Sequence, residues 1–203
     1  MMRTSFVILA FAVSAASFAS PFTNGSFESG PVPPYYAGGN GDPTVTGWLG
    51  THTGYEWFTP SNADIGAADS GVACVDVANF VFNMGGIAQT FDTVPAQVYQ
   101  VTFAASTSTY AGRTGTGILD VTAPGYTNSF NLTNFAQFAN WQQFSFNFTA
   151  TGISSTLEFA NFEDGNQHFA FVDSVGVQAV PEPATWAILG VGAVGLLRRR
   201  RRN

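Results

Sequence analysis

The sequence contains no lysine, and its central part has very little positive charge. Six of the seven arginines lie at the two ends, at Arg3 and at 198–202, so Arg113 is the only base between positions 20 and 180. All acidic residues except Glu182 lie in that same span, where one positive and twelve negative charges leave a formal charge of −11. This charge excludes nucleic acid as a partner, because nucleic-acid binding depends on Lys and Arg contacts to phosphate. An anionic surface favours solubility outside the cell or the attraction of cations such as calcium.

Cysteine and histidine are also scarce, which narrows the chemistry available to the chain. Cys74 is the only cysteine and cannot form an internal disulfide, and its apolar neighbours predict a small buried side chain. His52 and His168 have no metal-binding spacing such as His-Glu-x-x-His, and a Gly-x-Ser-x-Gly elbow is missing. Pairs of carboxylates such as Glu163 and Asp164 occur by chance in any acidic chain. The sequence therefore predicts a protein that is not an enzyme.

Helical periodicity is the third absence, and alternation with a period of two takes its place. Every second residue is apolar at 99–103, 144–148 and 157–159. Further strands are predicted at 72–77, 87–91, 118–121 and 170–177, between loops rich in Gly, Pro, Asn and Ser. Short strands separated by turns predict an all-β antiparallel sandwich. Alternate aromatic side chains, among them Phe144, Phe146 and Phe148, are expected to fill the space between its two sheets.

The N-terminus has the three parts of a secretory signal peptide. Arg3 supplies the positive charge, an apolar run follows at 6–13, and small residues lead to Ala19. We predict cleavage after Ala19, which makes 1–19 the signal peptide and starts the mature domain at position 20.

The C-terminus has a different three-part pattern, at 180–203. Pro181, Glu182 and Pro183 come first, an apolar stretch follows at 184–197, and the five arginines come last. The stretch is shorter than the roughly 20 residues of an ordinary membrane span. Arginine side chains can reach the cytoplasmic face from a short span and fix its orientation, so we predict a short transmembrane segment.

This tail resembles the PEP-CTERM sorting signal of bacteria. The resemblance implies recognition and processing by an exosortase-type membrane protease and a transient contact with the inner membrane. It also implies localisation at the cell envelope or surface, or in the extracellular matrix. Pro181 and Pro183 fix two φ angles, which favours the extended shape of a protease substrate.

The domain at 20–179 resembles the choice-of-anchor C family and related plant cell-wall proteins with galactose-binding-like domains. The matching stretches lie at 24–28, 47–48, 69–71, 75–77, 85–91, 93–95, 99–103, 141, 146–150 and 172–175. Asn79 and Ala96 stand where the family pattern has glycine. The resemblance implies a galactose-binding-like jelly roll.

The same resemblance implies a structural calcium ion. In similar carbohydrate-binding jelly rolls, a Glu of the first strand and an Asp of the last strand often meet at calcium, and Glu28 and Asp173 have these positions here. Calcium takes six to eight oxygen ligands, so the loop with Asp69 and Gly71 could complete its shell. The alternative is that these carboxylates cap strand ends and face water.

Four aromatic residues in the N-terminal third are candidates for a sugar-binding surface: Tyr35, Tyr36, Tyr55 and Trp57. Aromatic rings stack on the apolar faces of pyranoses, while amide and carboxylate groups bind the hydroxyls. The alternative is that these rings pack within loops. Together with the tail, this pattern predicts an exported, envelope-sorted, non-catalytic protein that binds polysaccharide. A structural or adhesive matrix protein without sugar binding is the second hypothesis.

Overall fold

The structure, a computed structural model, describes residues 21–31, 33–60 and 66–181. The predicted signal peptide at 1–19, the sorting-motif residues Glu182 and Pro183 and the predicted membrane segment lie outside these ranges. No helix within the described ranges is long and apolar enough to cross a membrane.

Strands dominate the described part of the chain. They are β1 (Tyr35–Gly38), β2 (Leu49–His52), β3 (Tyr55–Phe58), β4 (Cys74–Asp76), β5 (Gly85–Asp92), β6 (Val98–Ser106), β7 (Thr116–Ala123), β8 (Tyr126–Thr133), β9 (Gln142–Thr149), β10 (Ser154–Ala160) and β11 (Phe171–Ala179). One short 3-10 turn, Tyr110–Gly112, is the single helical element between residues 66 and 181.

The strands form two antiparallel sheets. The six-stranded sheet has the order β1-β3-β4-β11-β6-β9, and the five-stranded sheet has the order β2-β5-β10-β7-β8. The last strand, β11, lies between β4 and β6 in the middle of the six-stranded sheet. The predicted fold class, an all-β jelly-roll sandwich of galactose-binding-like type, is confirmed.

The core lies between the two sheets and is rich in aromatic side chains. On β9, Phe146 and Phe148 are buried and Phe144 packs against the core, whereas Ser145 and Asn147 are exposed, as alternation along a strand requires. The Phe103 ring on β6 stands edge-on to the Phe159 ring of the opposite sheet, with 5.2 Å between ring centroids. Rings in this orientation interact favourably beyond the area that they bury.

Two residues that replace an expected glycine have the backbone of a glycine. Asn79 has φ 52° and Ala96 has φ 66°, both in the left-handed region that glycine favours. Ala96 follows Pro95 in a turn closed by a hydrogen bond from the Gln97 N–H to the Val94 carbonyl (3.1 Å). The turn expected from the family resemblance is therefore present, with an alanine in a strained position.

Candidate functional site

A cleft of about 520 Å³ lies against the outer face of the six-stranded sheet, where β1, β3, β4 and β11 are neighbours. Its lining combines aromatic rings with two acids and one arginine: Pro34, Tyr35, Glu56, Phe58, Thr59, Asp76, Phe80, Val81, Tyr110, Arg113, Phe169 and Phe171. The volume is within the range of small-molecule binding pockets.

Strand alternation places the acids on the floor of this cleft. On β3, Tyr55 and Trp57 point into the core, so Glu56 and Phe58 point outward. The sheet register pairs Asp76 of β4 with Glu56 on one side and with Phe171 of β11 on the other. Directly paired residues share a face, so the two carboxylates lie side by side beneath the cleft.

The two floor carboxylates are buried, and one of them is only partly bonded. Glu56 is 4% exposed and accepts a hydrogen bond from the Tyr35 hydroxyl at 2.5 Å. The Asp76 side chain is completely buried, and its Oδ1 accepts the N–H groups of Ala78 (2.9 Å) and Ala170 (3.0 Å). The Asp76 Oδ2 has no hydrogen-bond partner within the described part of the chain. An unpaired buried oxygen of this kind destabilises the fold, and it is available to a ligand.

Burial and mutual repulsion disfavour the charged forms of this acid pair. Burial, and after it the neighbouring Glu56 charge, raise the pKa of Asp76 to about 7, against the two backbone N–H donors and Arg113. Burial also raises the pKa of Glu56, while the Tyr35 hydroxyl and backbone donors of Phe80 and Val81 oppose the shift. Near neutral pH the pair therefore holds a proton for part of the time.

Arg113 brings the positive charge of the central chain to this cleft. Its guanidinium carbon lies 4.4 Å from the centroid of the Phe169 ring and 5.0 Å from that of Phe80. These distances are those of cation–π contacts, which hold the side chain in place. Its Nε atom is buried and has no hydrogen-bond partner among the described residues. The cleft thus offers one unpaired donor and one unpaired acceptor.

Of the four predicted sugar-binding aromatics, only Tyr35 lines the cleft, and its ring is 53% exposed. Tyr36, on the same strand, is half-buried and points to the opposite face, where its hydroxyl donates to Asp42 Oδ2 at 2.7 Å. The interpretation of Tyr55 and Trp57 as ligand contacts is corrected, because both rings are completely buried in the core. The Tyr55 hydroxyl donates to Asp42 Oδ1 and the Trp57 indole N–H donates to the Phe27 carbonyl, so their polar atoms serve the fold.

The predicted calcium ligands Glu28, Asp69, Gly71 and Asp173 come together at another place, around the loop 69–73. Glu28 Oε1 accepts the N–H groups of Val72 (2.8 Å) and Ala73 (2.7 Å). Gly71 has φ 65°, and a Cβ atom there would lie 2.4 Å from Glu28 Oε1. Glu28 itself precedes β1, so its expected place on the first strand is corrected.

Asp173 and Asp69 complete this loop site. Asp173 Oδ2 accepts the Ser70 N–H at 2.9 Å, and Asp69 Oδ2 accepts the Ser174 hydroxyl at 2.6 Å. Burial raises the pKa of Asp173 to about 7 in spite of its backbone donors. Between residues 21 and 181, as far as they are described, no three His, Cys, Asp or Glu side chains are grouped to hold a metal ion. Calcium binding here stays a prediction, which melting with and without a chelator tests.

Sequence reasoning did not find Glu56, Asp76 and Arg113. Asp76 lies within the family-like stretch 75–77, and Glu56 lies between Tyr55 and Trp57, whose aromatic rings favour the sugar-binding interpretation in the sequence. Arg113 was singled out by composition as the only base of the central chain. This composition was the one signal in the sequence that indicated Arg113, since a single base in an anionic domain suggests a specific role.

Comparisons with known proteins agree with this fold. The family model described as "Protein of unknown function (DUF642)" matches residues 20–178, and the model of the PEP-CTERM protein-sorting motif matches residues 179–202. No curated protein matches the chain.

Solved structures similar to this chain include carbohydrate-binding modules and a domain of an enzyme. The module TmCBM61 in complex with beta-1,4-galactotriose is 14% identical, with 78% of this chain and 97% of that chain covered and a TM-score of 0.47. A family 35 module from Clostridium thermocellum is 13% identical, with 72% and 98% covered and a TM-score of 0.46. The arabinose-bound α-L-arabinofuranosidase MgGH51 is 12% identical, with 80% and 26% covered and a TM-score of 0.50. At these identities the likeness concerns the fold alone.

Proposed function

The chain belongs to the DUF642 family and ends in a PEP-CTERM sorting motif, and we propose that it is an exported envelope protein that binds carbohydrate without catalysis. The binding site is the cleft over Glu56 and Asp76. The motif at the C-terminus implies export and sorting to the envelope, where an exosortase-type protease processes the tail. A polysaccharide of the cell's own matrix or of an external surface is the partner.

One observation supports this proposal above the others. Asp76 Oδ2 and Arg113 Nε are both buried and have no hydrogen-bond partner among the residues that the structure describes, and both residues line the same aromatic cleft. Leaving buried polar atoms unpaired costs about 1–3 kcal/mol each. A ligand that supplies a donor and an acceptor recovers this free energy on binding.

The aromatic lining supports a sugar as that ligand. The exposed Tyr35 ring stands at the edge of the cleft, and Phe58, Tyr110 and Phe171 contribute further rings. Aromatic faces pack against the C–H faces of pyranose rings, and polar groups between them bind the hydroxyls.

Binding of the full-length chain to a panel of soluble polysaccharides tests the proposal, with the chain purified in a detergent that has no sugar headgroup. We expect binding to at least one polysaccharide, and Tyr35→Ala should weaken it at least tenfold. Phe135→Ala is the matched control, because this ring is 82% exposed and lies outside the cleft lining. Failure of the whole panel, or equal binding by the two variants, would refute a sugar site in this cleft.

The second candidate is a structural or adhesive protein that makes protein contacts and binds no sugar. An exposed apolar segment beside the cleft favours it: Phe80, Val81, Phe82 and Met84 are each 45–56% exposed. Exposed apolar patches of this kind often mark protein contacts. A chain that binds matrix protein but no member of the polysaccharide panel would support this alternative.

A further inference from the structure

We infer that the cleft selects uncharged, hydroxyl-rich glycans and discriminates against acidic ones such as polyuronates. This inference rests on the proposed function, because it names the class of carbohydrate that the same site accepts. It follows from the pairing of donors and acceptors and from the distribution of charge around the cleft.

An alcohol fits the two unpaired atoms better than an ion does. A sugar hydroxyl can donate to Asp76 Oδ2, and a hydroxyl or ring oxygen can accept from Arg113 Nε. A carboxylate group placed at these two atoms has acceptors only, so it can satisfy Arg113 but leaves an ionised Asp76 Oδ2 unpaired, whereas a hydroxyl group there can serve both. The buried acceptor therefore favours ligands that carry O–H groups.

The charge of the cleft adds to this preference. Two carboxylates, Glu56 and Asp76, form the floor against the single guanidinium of Arg113. That guanidinium is already held between the Phe80 and Phe169 rings. The surrounding chain, with its formal charge of −11 between positions 20 and 180, also repels polyanions. A uronate ligand would meet the negative charge of the domain on approach and the ionised fraction of the acid pair at the floor.

A cationic ligand fits less well than a neutral one. Arg113 lines the same cleft and repels an ammonium group. The floor acids share protons near neutral pH, because burial raises the pKa of both Glu56 and Asp76, so they attract a cation less than two full charges would. An ammonium also offers donors only and leaves Arg113 Nε unpaired.

The test uses ligand pairs that differ at the carboxyl position alone. Each uronic-acid oligosaccharide is compared with its carboxyl-reduced counterpart, and an amino-sugar oligosaccharide is included, all by calorimetry with the full-length chain at pH 7.5. We expect the reduced, neutral member of a pair to bind at least tenfold more tightly than the uronate. Salt should narrow this difference without reversing it.

The variant Asp76→Asn tests whether the preference for neutral glycans arises in the cleft. Its Oδ1 can still accept the Ala78 and Ala170 N–H groups, while the amide nitrogen turns the unpaired acceptor into a donor. We expect at least tenfold weaker binding of the neutral oligosaccharide. Asp92→Asn makes the same change in net charge on β5 of the other sheet, and it should leave both affinities unchanged.

The possible results separate this inference from the proposed function. If a uronate or the amino-sugar oligosaccharide binds as tightly as the neutral one, or tighter, the inference is wrong while carbohydrate binding stands. The same holds if Asp92→Asn changes the preference as much as Asp76→Asn does. If no oligosaccharide or polysaccharide binds at all, the proposed function itself is wrong.

Discussion

Two groups of acids in this molecule differ in how their side-chain oxygens are hydrogen-bonded. Around the loop 69–73, the side chains of Glu28, Asp69 and Asp173 accept hydrogen bonds from backbone N–H groups or polar side chains of the fold. In the cleft, one oxygen of Asp76 is buried without a partner in the described part of the chain, and another acid, Glu56, lies directly across from it in the sheet.

The difference separates acids that connect the fold from acids that remain available for binding. Glu28 joins the segment before β1 to the segment before β4, so its hydrogen bonds bring together residues that are distant in sequence. The cleft pair connects less and opposes folding through burial of charge. Glu28, which accepts two backbone N–H groups, should therefore stabilise the protein, whereas the cleft pair, like the buried Asp173, should destabilise it when ionised.

The largest expected effect is a pH dependence of stability caused by Asp76. Its pKa is about 7 in the folded chain against an ordinary 3.8, so the folded state holds the proton more tightly than the unfolded state. Stability from this group is present at low pH and is lost as pH rises from about 4 to about 7. Relative to Asp76→Asn, the free energy of unfolding of the natural chain should fall by up to about 4 kcal/mol over this range.

Denaturant unfolding of both proteins from pH 4 to pH 8 measures that difference. Asp173 also has a pKa raised to about 7, but it is present in both proteins and cancels in the comparison. Glu56 and Arg113 face Asp76 in both proteins. The difference in stability between the two proteins therefore also includes the loss, in the variant, of the repulsion between the Glu56 and Asp76 charges. If the free energy of unfolding changes equally with pH in the two proteins, ionised Asp76 does not destabilise the fold. The proposed difference between the cleft acids and the loop acids would then be wrong.

The second effect belongs to the loop. Glu28→Ala removes an acceptor that binds two backbone N–H groups, at 2.8 and 2.7 Å. Hydrogen bonds to a charged group contribute about 1.5–3 kcal/mol each, and exposure of Val72 reduces this, so we expect a loss of about 2–3 kcal/mol in the free energy of unfolding.

Glu28→Gln is the matched variant, because its amide oxygen keeps the acceptor position, and it should lose about 1 kcal/mol. Polysaccharide binding by the folded fraction should stay as in the natural chain for both variants. Weakened binding in either one would mean that the loop acids and the cleft acids belong to one site.

How far the sequence predicts the fold depends on the strand. Strands with alternating phenylalanines, such as β9, are recognisable because one face is apolar and the other polar. β2 and β8 carry Gly, Thr, Asn and Ser on much of their length, β1 has only four residues, and the pairing of these strands is not visible in their local sequence. Local periodicity cannot show such partners.

The candidate site was harder to predict than the fold, because the sequence does not show which alternate residues of a strand face the core. On β3 the aromatic residues Tyr55 and Trp57 suggested a sugar surface, yet the alternation of the strand turns them inward and turns Glu56 outward. Sequence alone gives the period of two but not which phase faces the core. The calcium site implied by the family resemblance stays a prediction, since Glu28 and Asp173 both bond to backbone N–H groups of the segment 70–73 but the described residues contain no group of three acids placed to hold a metal ion.

The smallest expected effect involves backbone strain without any change of charge, and it gives a scale for the two acid effects. Ala96 has φ 66° after Pro95, at the turn position where the family pattern has glycine. The left-handed region costs a non-glycine residue about 1–2 kcal/mol, and glycine loses part of that gain through the entropy of its unfolded chain, so Ala96→Gly should stabilise the protein by about 0.5–1 kcal/mol.

Ala179→Gly is the control, since Ala179 is exposed at the end of β11 with no such strain, and it should destabilise slightly. Denaturant unfolding at pH 7 measures both changes. If Ala96→Gly loses stability as Ala179→Gly does, strain at this turn is not a cost, and effects below about 1 kcal/mol at the acid sites could not be assigned to charge.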